Sequence, residues 1–306
     1  MRIAYFGLPL GALLLLGDGH ALELCCISRR DGVGLRRLQR RLGKGRVLVQ
    51  PDAHAPALLA RVRALAPDLL VSWFWTKRLP MALVEAARLG GFGVHPSLLP
   101  RHRGPDPTYW AIASGDAETG VTAHRIAADY DTGEVLAQRR LAIDPAWNAW
   151  QLARALDRPS LQLLRETARR FAVGAVAGVA QDEALATAAP FPGEDASWIE
   201  WSWPAERILR QVRALAPSPG AVTQIAGRVV TVLAARAAAT WPAALEPGEG
   251  AIVEGRALVR CADGAVELVD AQVEPDAAGD ADGEAPPGDL ASGEAPPTLA
   301  ALFLAG

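Results

Sequence analysis

Two residues in the stretch 91–134 have the types and places that acid–base chemistry needs, His95 and Asp131. The run Phe92-Gly93-Val94-His95 has the composition of a short buried strand, and Pro96 ends it because proline has no N–H to give to a ladder. His95 therefore sits at a strand end with a loop behind it, where the active sites of open α/β sheets gather. Further on, Gly120-Val121-Thr122-Ala123-His124 alternates like a strand and Tyr130-Asp131-Thr132-Gly133 reads as a turn. A histidine and an acid on neighbouring strand ends make a general acid–base pair, in which the carboxylate raises the imidazole pKa and fixes the ring. Taken singly, His95 reads as a histidine satisfied by backbone and Asp131 as a turn aspartate; the motif around His95 and the spacing of Asp131 from it give the pair its chemical reading. His102 and His124 read as structural. Neither HExxH nor CxxC occurs, so no metal is expected.

The elements that must position this pair follow from periodicity. Strand patterns cover 2–6, 22–27, 46–49, 68–73, 91–94, 119–124 and 134–140, and helix patterns cover 9–17, 34–42, 55–65, 80–88, 107–114 and 149–173. Such alternation predicts an α/β domain over 1–175 built on a mostly parallel sheet. Gly7-Leu8-Pro9-Leu10-Gly11 after the first strand is not a dinucleotide fingerprint. Ala, Gly and Pro dominate after residue 175, and 176–198 reads as a linker. A second domain is expected over 199–273, with strand-like runs at 222–235, 251–253, 256–261 and 265–271 that suggest a small open β-barrel. The remainder, 274–306, is acidic, of low complexity and expected to be disordered, with Leu299–Leu304 docking back on the barrel.

Composition sets outer bounds. A chain of 306 residues, half of them apolar, has room for about two domains with sizeable cores. The formal charge is −3, but seven of the 34 acids lie in the tail, which has no base, so the body carries 31 bases against 27 acids. Eight of those bases fall in 29–46 against one acid, Asp31. Such a run reads as a solvated helix face or, more sharply, as a surface that contacts phosphates. Cys25, Cys26 and Cys261 imply no disulfide framework and suit a reducing cytoplasm. Ile3–Leu16 imitates a signal peptide, yet Gly7, Pro9 and Gly11 interrupt it and it is too short to span a bilayer, so no membrane segment is expected. A monomer is the default expectation.

The motifs His95-Pro96-Ser97-Leu98-Leu99-Pro100, Arg103-Gly104, Trp110, Gly120-Val121-Thr122 and Asp131-Thr132-Gly133 resemble, in order and spacing, the folate-dependent formyltransferases. The resemblance implies transfer of a formyl group from 10-formyltetrahydrofolate to an amine, with His95 and Asp131 as catalytic residues. It also implies that the pterin site is bordered by Ser97, Leu98, Leu99 and Pro100, and by Phe74, Trp75, Leu79 and Tyr130. Ala186–Pro190, Ile199–Trp201 and the later pattern are similar to the branch acting on methionyl initiator tRNA. There an insertion at the position of 29–46 reaches the tRNA acceptor stem, so Arg36, Arg37, Arg40 and Arg41 are expected to contact tRNA. Arg101 and Arg103 touch substrate or pin their loop. The alternatives are a small-amine acceptor, such as an amino sugar or hydroxylated amino acid, and a folate- or RNA-binding homologue with impaired catalysis.

One departure stands out: the family reads Asn-x-His where this chain has Gly93-Val94-His95. A missing oxyanion donor costs about 10²–10³ in kcat. Residue 93 shares the His95 face of its strand, so Gly93→Asn is expected from the sequence to restore rate.

Overall fold

The structure, a computed structural model, describes residues 1–274. The tail expected over 274–306 lies, beyond Glu274, outside the described residues. The chain divides into two compact units. The first holds Met1–Ala111, Asp116–Pro145 and Gln151–Phe191; the second runs from Pro192 and includes the short pieces Ile112–Gly115 and Ala146–Trp150.

The first unit is a seven-stranded sheet in the order β3-β2-β1-β4-β5-β6-β7, formed by β1 (Arg2–Gly7), β2 (Ala21–Ile27), β3 (Val47–Val49), β4 (Leu69–Trp73), β5 (Gly91–His95), β6 (Glu118–Arg125) and β7 (Val135–Ala142). The first five pair in parallel, while β6 runs antiparallel to both β5 and β7. Helices α1 (Pro9–Gly17), α2 (Leu35–Leu42), α3 (Pro56–Leu65), α4 (Met81–Glu85), α5 (Pro107–Ala113) and α6 (Ala149–Val173) follow the expected pattern, with α4 shorter than the 80–88 expected and followed by turns that run to Gly90.

Both faces of the sheet are covered, which is why its strands read as continuous apolar runs. Ala4, Phe6, Leu24 and Leu70 pack one face against Leu58 and Val62 of α3 and Leu83 and Val84 of α4. On the other face Trp73 donates Nε1–H to Ser160 Oγ of α6 at 2.6 Å, and Phe92 stacks on Phe171 of α6 at 5.6 Å. A Cβ on Gly11 of α1 would lie 2.4 Å from the Tyr5 hydroxyl and 2.9 Å from the Trp73 ring, so the glycine sets how closely α1 approaches the sheet. The segment Ile3–Leu16 is thus a central strand and its packed helix.

Asp18, just past α1, ties this layer to α6. Its buried carboxylate accepts from Arg165 Nε at 2.7 Å and Arg169 Nη2 at 2.9 Å. The Arg165 hydrogen bond is the largest of the influences that hold the carboxyl at about 2, below its ordinary 3.8. On acidification the unfolded chain takes up this proton first, so the stabilisation present above about pH 4 is lost as pH falls towards 2. Asp18→Asn should lower Tm at pH 7, and its Tm difference from wild type should vanish near pH 2, as thermal melts across that range will show.

In the second unit, α7 (Ala205–Leu215) buries Ile208, Val212 and Leu215 on an antiparallel sheet ordered β10-β11-β12-β9-β8. The strands are β8 (Ala221–Ile225), β9 (Arg228–Ala237), β10 (Gly250–Val253), β11 (Arg256–Arg260) and β12 (Ala265–Val273). The single run expected over 222–235 is two strands, because Ala226 and Gly227 take positive φ (48° and 79°) and make a two-residue hairpin turn. Edge strands β8 and β10 do not pair, so the sheet stays open.

Candidate active site

Strand order reverses at β1, whose neighbours β2 and β4 lead the chain in opposite directions, and ligands of open α/β sheets bind beyond the carboxyl ends of strands at such a point. The C-terminal ends of β4 and β5 open here into a cleft of about 880 Å³ including its mouth, lined by Phe74, Trp75, Leu79, Gly93, His95, His124, Tyr130 and Asp131 among others.

Two cross-strand pairs set the floor. In the β5–β6 register His95 faces Thr122 and Gly93 faces His124. Directly opposed side chains on one face are close neighbours, so Gly93 leaves its share of the space to the His124 ring. A Cβ built at residue 93 would lie 3.4 Å from His124 Nε2. The β6–β7 register slips between Ala123 and His124, the kind of irregularity that re-aims a side chain beside an active site.

Asp131 lies between the two imidazoles, both of which are buried. Its Oδ2 stands 3.4 Å from His95 Nδ1 and its Oδ1 stands 3.4 Å from His124 Nε2. These separations exceed the 2.7–2.9 Å or so of a charge-assisted hydrogen bond. Each imidazole is fixed from behind. His95 Nε2–H donates to the His102 carbonyl at 2.8 Å, and His124 Nδ1–H donates to the Arg125 carbonyl at 2.9 Å. A carbonyl only accepts, so those nitrogens keep their protons. The nitrogens free to gain or lose one are His95 Nδ1 and His124 Nε2, and both face the same carboxylate. Burial pushes the His124 pKa down; the Asp131 charge opposes this and His95 adds to it.

The carboxylate is itself anchored. Gly104 N–H donates to Oδ2 at 2.9 Å, and Gln181 Nε2 donates to the carbonyls of Asp131 at 2.6 Å and Gly133 at 2.7 Å. Asp131 has φ 57°, a left-handed conformation that Asp tolerates better than most residues. Gly104 has φ 128°, and a Cβ there would lie 2.7 Å from the Ala189 carbonyl, so only glycine brings this N–H to the carboxylate. Residues 176–191, which composition reads as linker, run along this loop: Arg103 and Ala188 form a bridge, as do Val135 and Val179.

Three aromatic side chains stand in the cleft walls. Phe74, Trp75 and Tyr130 line them, and the Trp75 Nε1–H is buried with no partner among the described residues. Phe74 carries φ 54°, strain of a kind that clusters at ligand sites. Lys77 and the ion pair of Arg78 with Asp129, 3.3 Å apart, also line it.

The structure gathers Gly93, His95 and Asp131 with Phe74, Trp75, Leu79 and Tyr130, and leaves Ser97, Leu98, Leu99 and Pro100 out of that lining. Ser97 is fully buried and donates from its hydroxyl to the Arg101 carbonyl at 2.7 Å, while Leu98, Leu99 and Pro100 line a separate hollow with Asp116 and Gln138. Pro96 ends β5 and the chain turns away, so this loop serves His95 from behind by presenting the His102 carbonyl. Arg101 and Arg103 pin the loop, Arg101 on Asp116 and Arg103 on Gln181 and Glu183. His124, read as structural from sequence, lines the cleft beside Asp131. His102 is structural, with Nε2 2.7 Å from Asp116 Oδ2. Arg36, Arg37, Arg40 and Arg41 are all exposed on α2, away from this cleft, and make no ion pair among the described residues. Among the described residues no group of three or more His, Cys, Asp or Glu side chains could hold a metal ion.

Comparison with known proteins places these features in context. Residues 27–167 match the family model described as formyl transferase, and 194–282 match the formyl transferase C-terminal domain. The chain is 37% identical over 292 residues to a methionyl-tRNA formyltransferase of Anaeromyxobacter dehalogenans, covering 88% of this chain and 91% of that protein. It is 33% identical over 288 residues to that of Sorangium cellulosum, covering 90% and 92%. Among solved structures, the N-formyltransferase of Helicobacter canadensis in complex with folinic acid and dTDP-3-aminofucose superposes with TM-score 0.68 at 14% identity, covering 90% of this chain and all of that one. HypX of Aquifex aeolicus in complex with tetrahydrofolic acid gives 0.64 at 20% identity over 90% of this chain and 44% of that one.

Proposed function

Since this chain belongs to the formyl transferase family, we propose that it transfers the formyl group of 10-formyltetrahydrofolate to the amino group of methionyl initiator tRNA, a step of translation initiation, in the cytoplasm and as a monomer. The observation that carries the choice of acceptor is likeness through both units of the chain to proteins of that activity, whereas the aminosugar enzyme shares the fold at far lower identity. The free thiols Cys25, Cys26 and Cys261 suit the compartment, and no helix among the described residues is long and apolar enough to cross a membrane.

The formyl donor is consumed as a co-substrate and supplies an activated carbonyl. The cleft's own residues do the rest. Phe74, Trp75 and Tyr130 supply aromatic surfaces for the pterin, together with Leu79. Asp131, fixed by Gly104 and Gln181, orients His95 and keeps negative charge beside Nδ1, the nitrogen through which His95 exchanges a proton. The arginines of α2 meet tRNA phosphates.

The direct test combines purified protein, 10-formyltetrahydrofolate and charged initiator tRNA, and follows tetrahydrofolate release together with formylmethionine on the tRNA. Stoichiometric appearance of both is expected. Folate release without tRNA formylation, restored by a small amine, would move the acceptor to that class.

A further inference from the structure

We propose that Gln181 and Arg103 are positioning residues for the transfer reaction, and that together they fix where Asp131 stands against His95. The proposal rests on the formyl-transfer reading given above. It starts from three consecutive residues in the loop after β5. Every backbone polar group from the His102 N–H to the Gly104 N–H is committed, and to two different sides. The His102 carbonyl accepts from His95 Nε2–H at 2.8 Å, and the Gly104 N–H donates to Asp131 Oδ2 at 2.9 Å. The groups between and before them face the stretch 176–191. His102 N–H donates to Thr187 Oγ1 at 2.8 Å, Arg103 N–H donates to the Thr187 carbonyl at 2.8 Å, and the Arg103 carbonyl accepts from Ala189 N–H at 2.6 Å. One tripeptide, fastened from behind, thus holds both members of the reacting pair, which stand 3.4 Å apart.

The side chain of the middle residue closes a ring. Arg103 Nε–H and Nη2–H both donate to Gln181 Oε1, at 3.0 and 2.8 Å. Gln181 Nε2 donates in turn to the carbonyls of Asp131 at 2.6 Å and Gly133 at 2.7 Å. A primary amide offers two N–H donors and an oxygen with two lone pairs, so every position on Gln181 is filled and the amide can point only one way. From the Asp131 carbonyl the path runs through Gln181 to the Arg103 guanidinium, along one peptide bond to Gly104, and back to the Asp131 carboxylate. Asp131 is gripped at its backbone and at its side chain by one connected unit. Glu183 closes the outer edge of the guanidinium with contacts of 2.8 Å, leaving the Arg103 side chain 13% exposed. Neither Arg103 nor Gln181 lines the cleft, so both act through Asp131 and not on the substrate. If the Gln181 link is lost, the loop keeps its Thr187 and Ala189 contacts, and what shifts is the turn that carries Asp131. A misplacement of about 1 Å at a reacting group is worth about 10²-fold in rate.

The test is a double-mutant cycle on Gln181 and Asp131. Gln181→Met keeps the length of the side chain and removes all of its hydrogen bonds. Gln181→Glu keeps the acceptor for Arg103 and removes the donors to the two carbonyls. Each is made in the wild-type and in the Asp131→Asn background, and single-turnover formyl transfer, folate Kd by tryptophan quenching and Tm are measured. Both substitutions should lower the transfer rate about 10–100-fold with folate Kd unchanged. In the Asp131→Asn background, where the carboxylate is already gone, most of that loss should disappear, because residues that act through one group are non-additive. Arg103→Lys, which keeps the charge but not the fork, should be slowed in the same way. A readout without turnover accompanies these. Amide hydrogen exchange followed by NMR in the ligand-free protein should quicken at Gly104 in Gln181→Met and stay slow at Arg103 and Ala189. Wild-type transfer in a folded Gln181→Met, equal losses in both backgrounds, or exchange that quickens at Ala189 as much as at Gly104 would each overturn the proposal. Should Gln181→Met not fold, Gln181→Glu and Arg103→Lys carry the same comparisons. If the wild-type protein binds folate and formylates no tRNA, the acceptor reading fails instead, and the proposal is judged on the Gly104 exchange, which needs no substrate.

Discussion

Asp131→Asn should lower kcat for formyl transfer by about 10²–10⁴-fold, the usual worth of positioned acid–base catalysis, and leave folate affinity and Tm near wild type. The substitution is chosen for what it keeps. Asn retains an oxygen for the Gly104 N–H and tolerates the left-handed backbone that residue 131 adopts at φ 57°. It removes only the charge that lies between His95 Nδ1 and His124 Nε2. His95→Ala should be as damaging to kcat but less clean. It leaves the buried His102 carbonyl without its donor, at a cost of about 1–3 kcal/mol, and Tm should fall accordingly. A folded Asp131→Asn enzyme with near-wild-type kcat would remove the carboxylate from the reaction.

Reversing Arg36, Arg37, Arg40 and Arg41 to Glu should weaken binding of initiator tRNA by several orders of magnitude at low salt while folate binding stays unchanged. On α2 these residues fall at spacings of one and four, two adjacent columns on a face opposite Leu35, Leu38 and Leu42, and Leu38 is the residue the helix buries. None has an ion-pair partner among the described residues to lose, so the fold should tolerate the change. Each lost phosphate contact flattens the slope of log Kobs against log salt by about 0.7–0.9, or about 3 for all four. Titrations at several salt concentrations read both quantities. An unchanged affinity and slope would take α2 off the tRNA.

Much of this architecture is legible in the sequence because it is written in local periodicity. Apolar strands of a two-faced parallel sheet and helices with Pro near their starts, as at Pro9 and Pro56, announce themselves within a few residues. What escapes is long-range. That Gly93 faces His124 depends on an antiparallel register between strands 31 positions apart, and no local pattern carries it. His124 therefore looks like one polar residue in a strand. The same limit applies to Ser97–Pro100, where the family motif marks a loop but not which side of His95 it supports. It applies also to Gln181, a lone polar side chain in an Ala- and Gly-rich stretch, whose two carbonyl contacts belong to a turn about 50 residues earlier. Composition marks 176–191 as low in periodicity, which is correct; absence of periodicity does not mean absence of contacts.

The stretch 176–191, which fastens the loops behind His95 and Asp131, comes after every strand of the sheet in the order in which the molecule is made. His95, His124 and Asp131 leave the ribosome well before the residues that hold their loops in place. Arg103 N–H waits for the Thr187 carbonyl at 2.8 Å, the Arg103 carbonyl for Ala189 N–H at 2.6 Å, and the Asp131 carbonyl for Gln181. A nascent chain that has emerged only as far as α6 contains every strand of the parallel sheet and every reacting group, yet lacks the fasteners that bring the His102 carbonyl and the Gly104 N–H to their partners. The loops of the sheet are thus fastened only after all of its strands exist, by a stretch whose one regular element is the short 3-10 turn Glu183–Leu185.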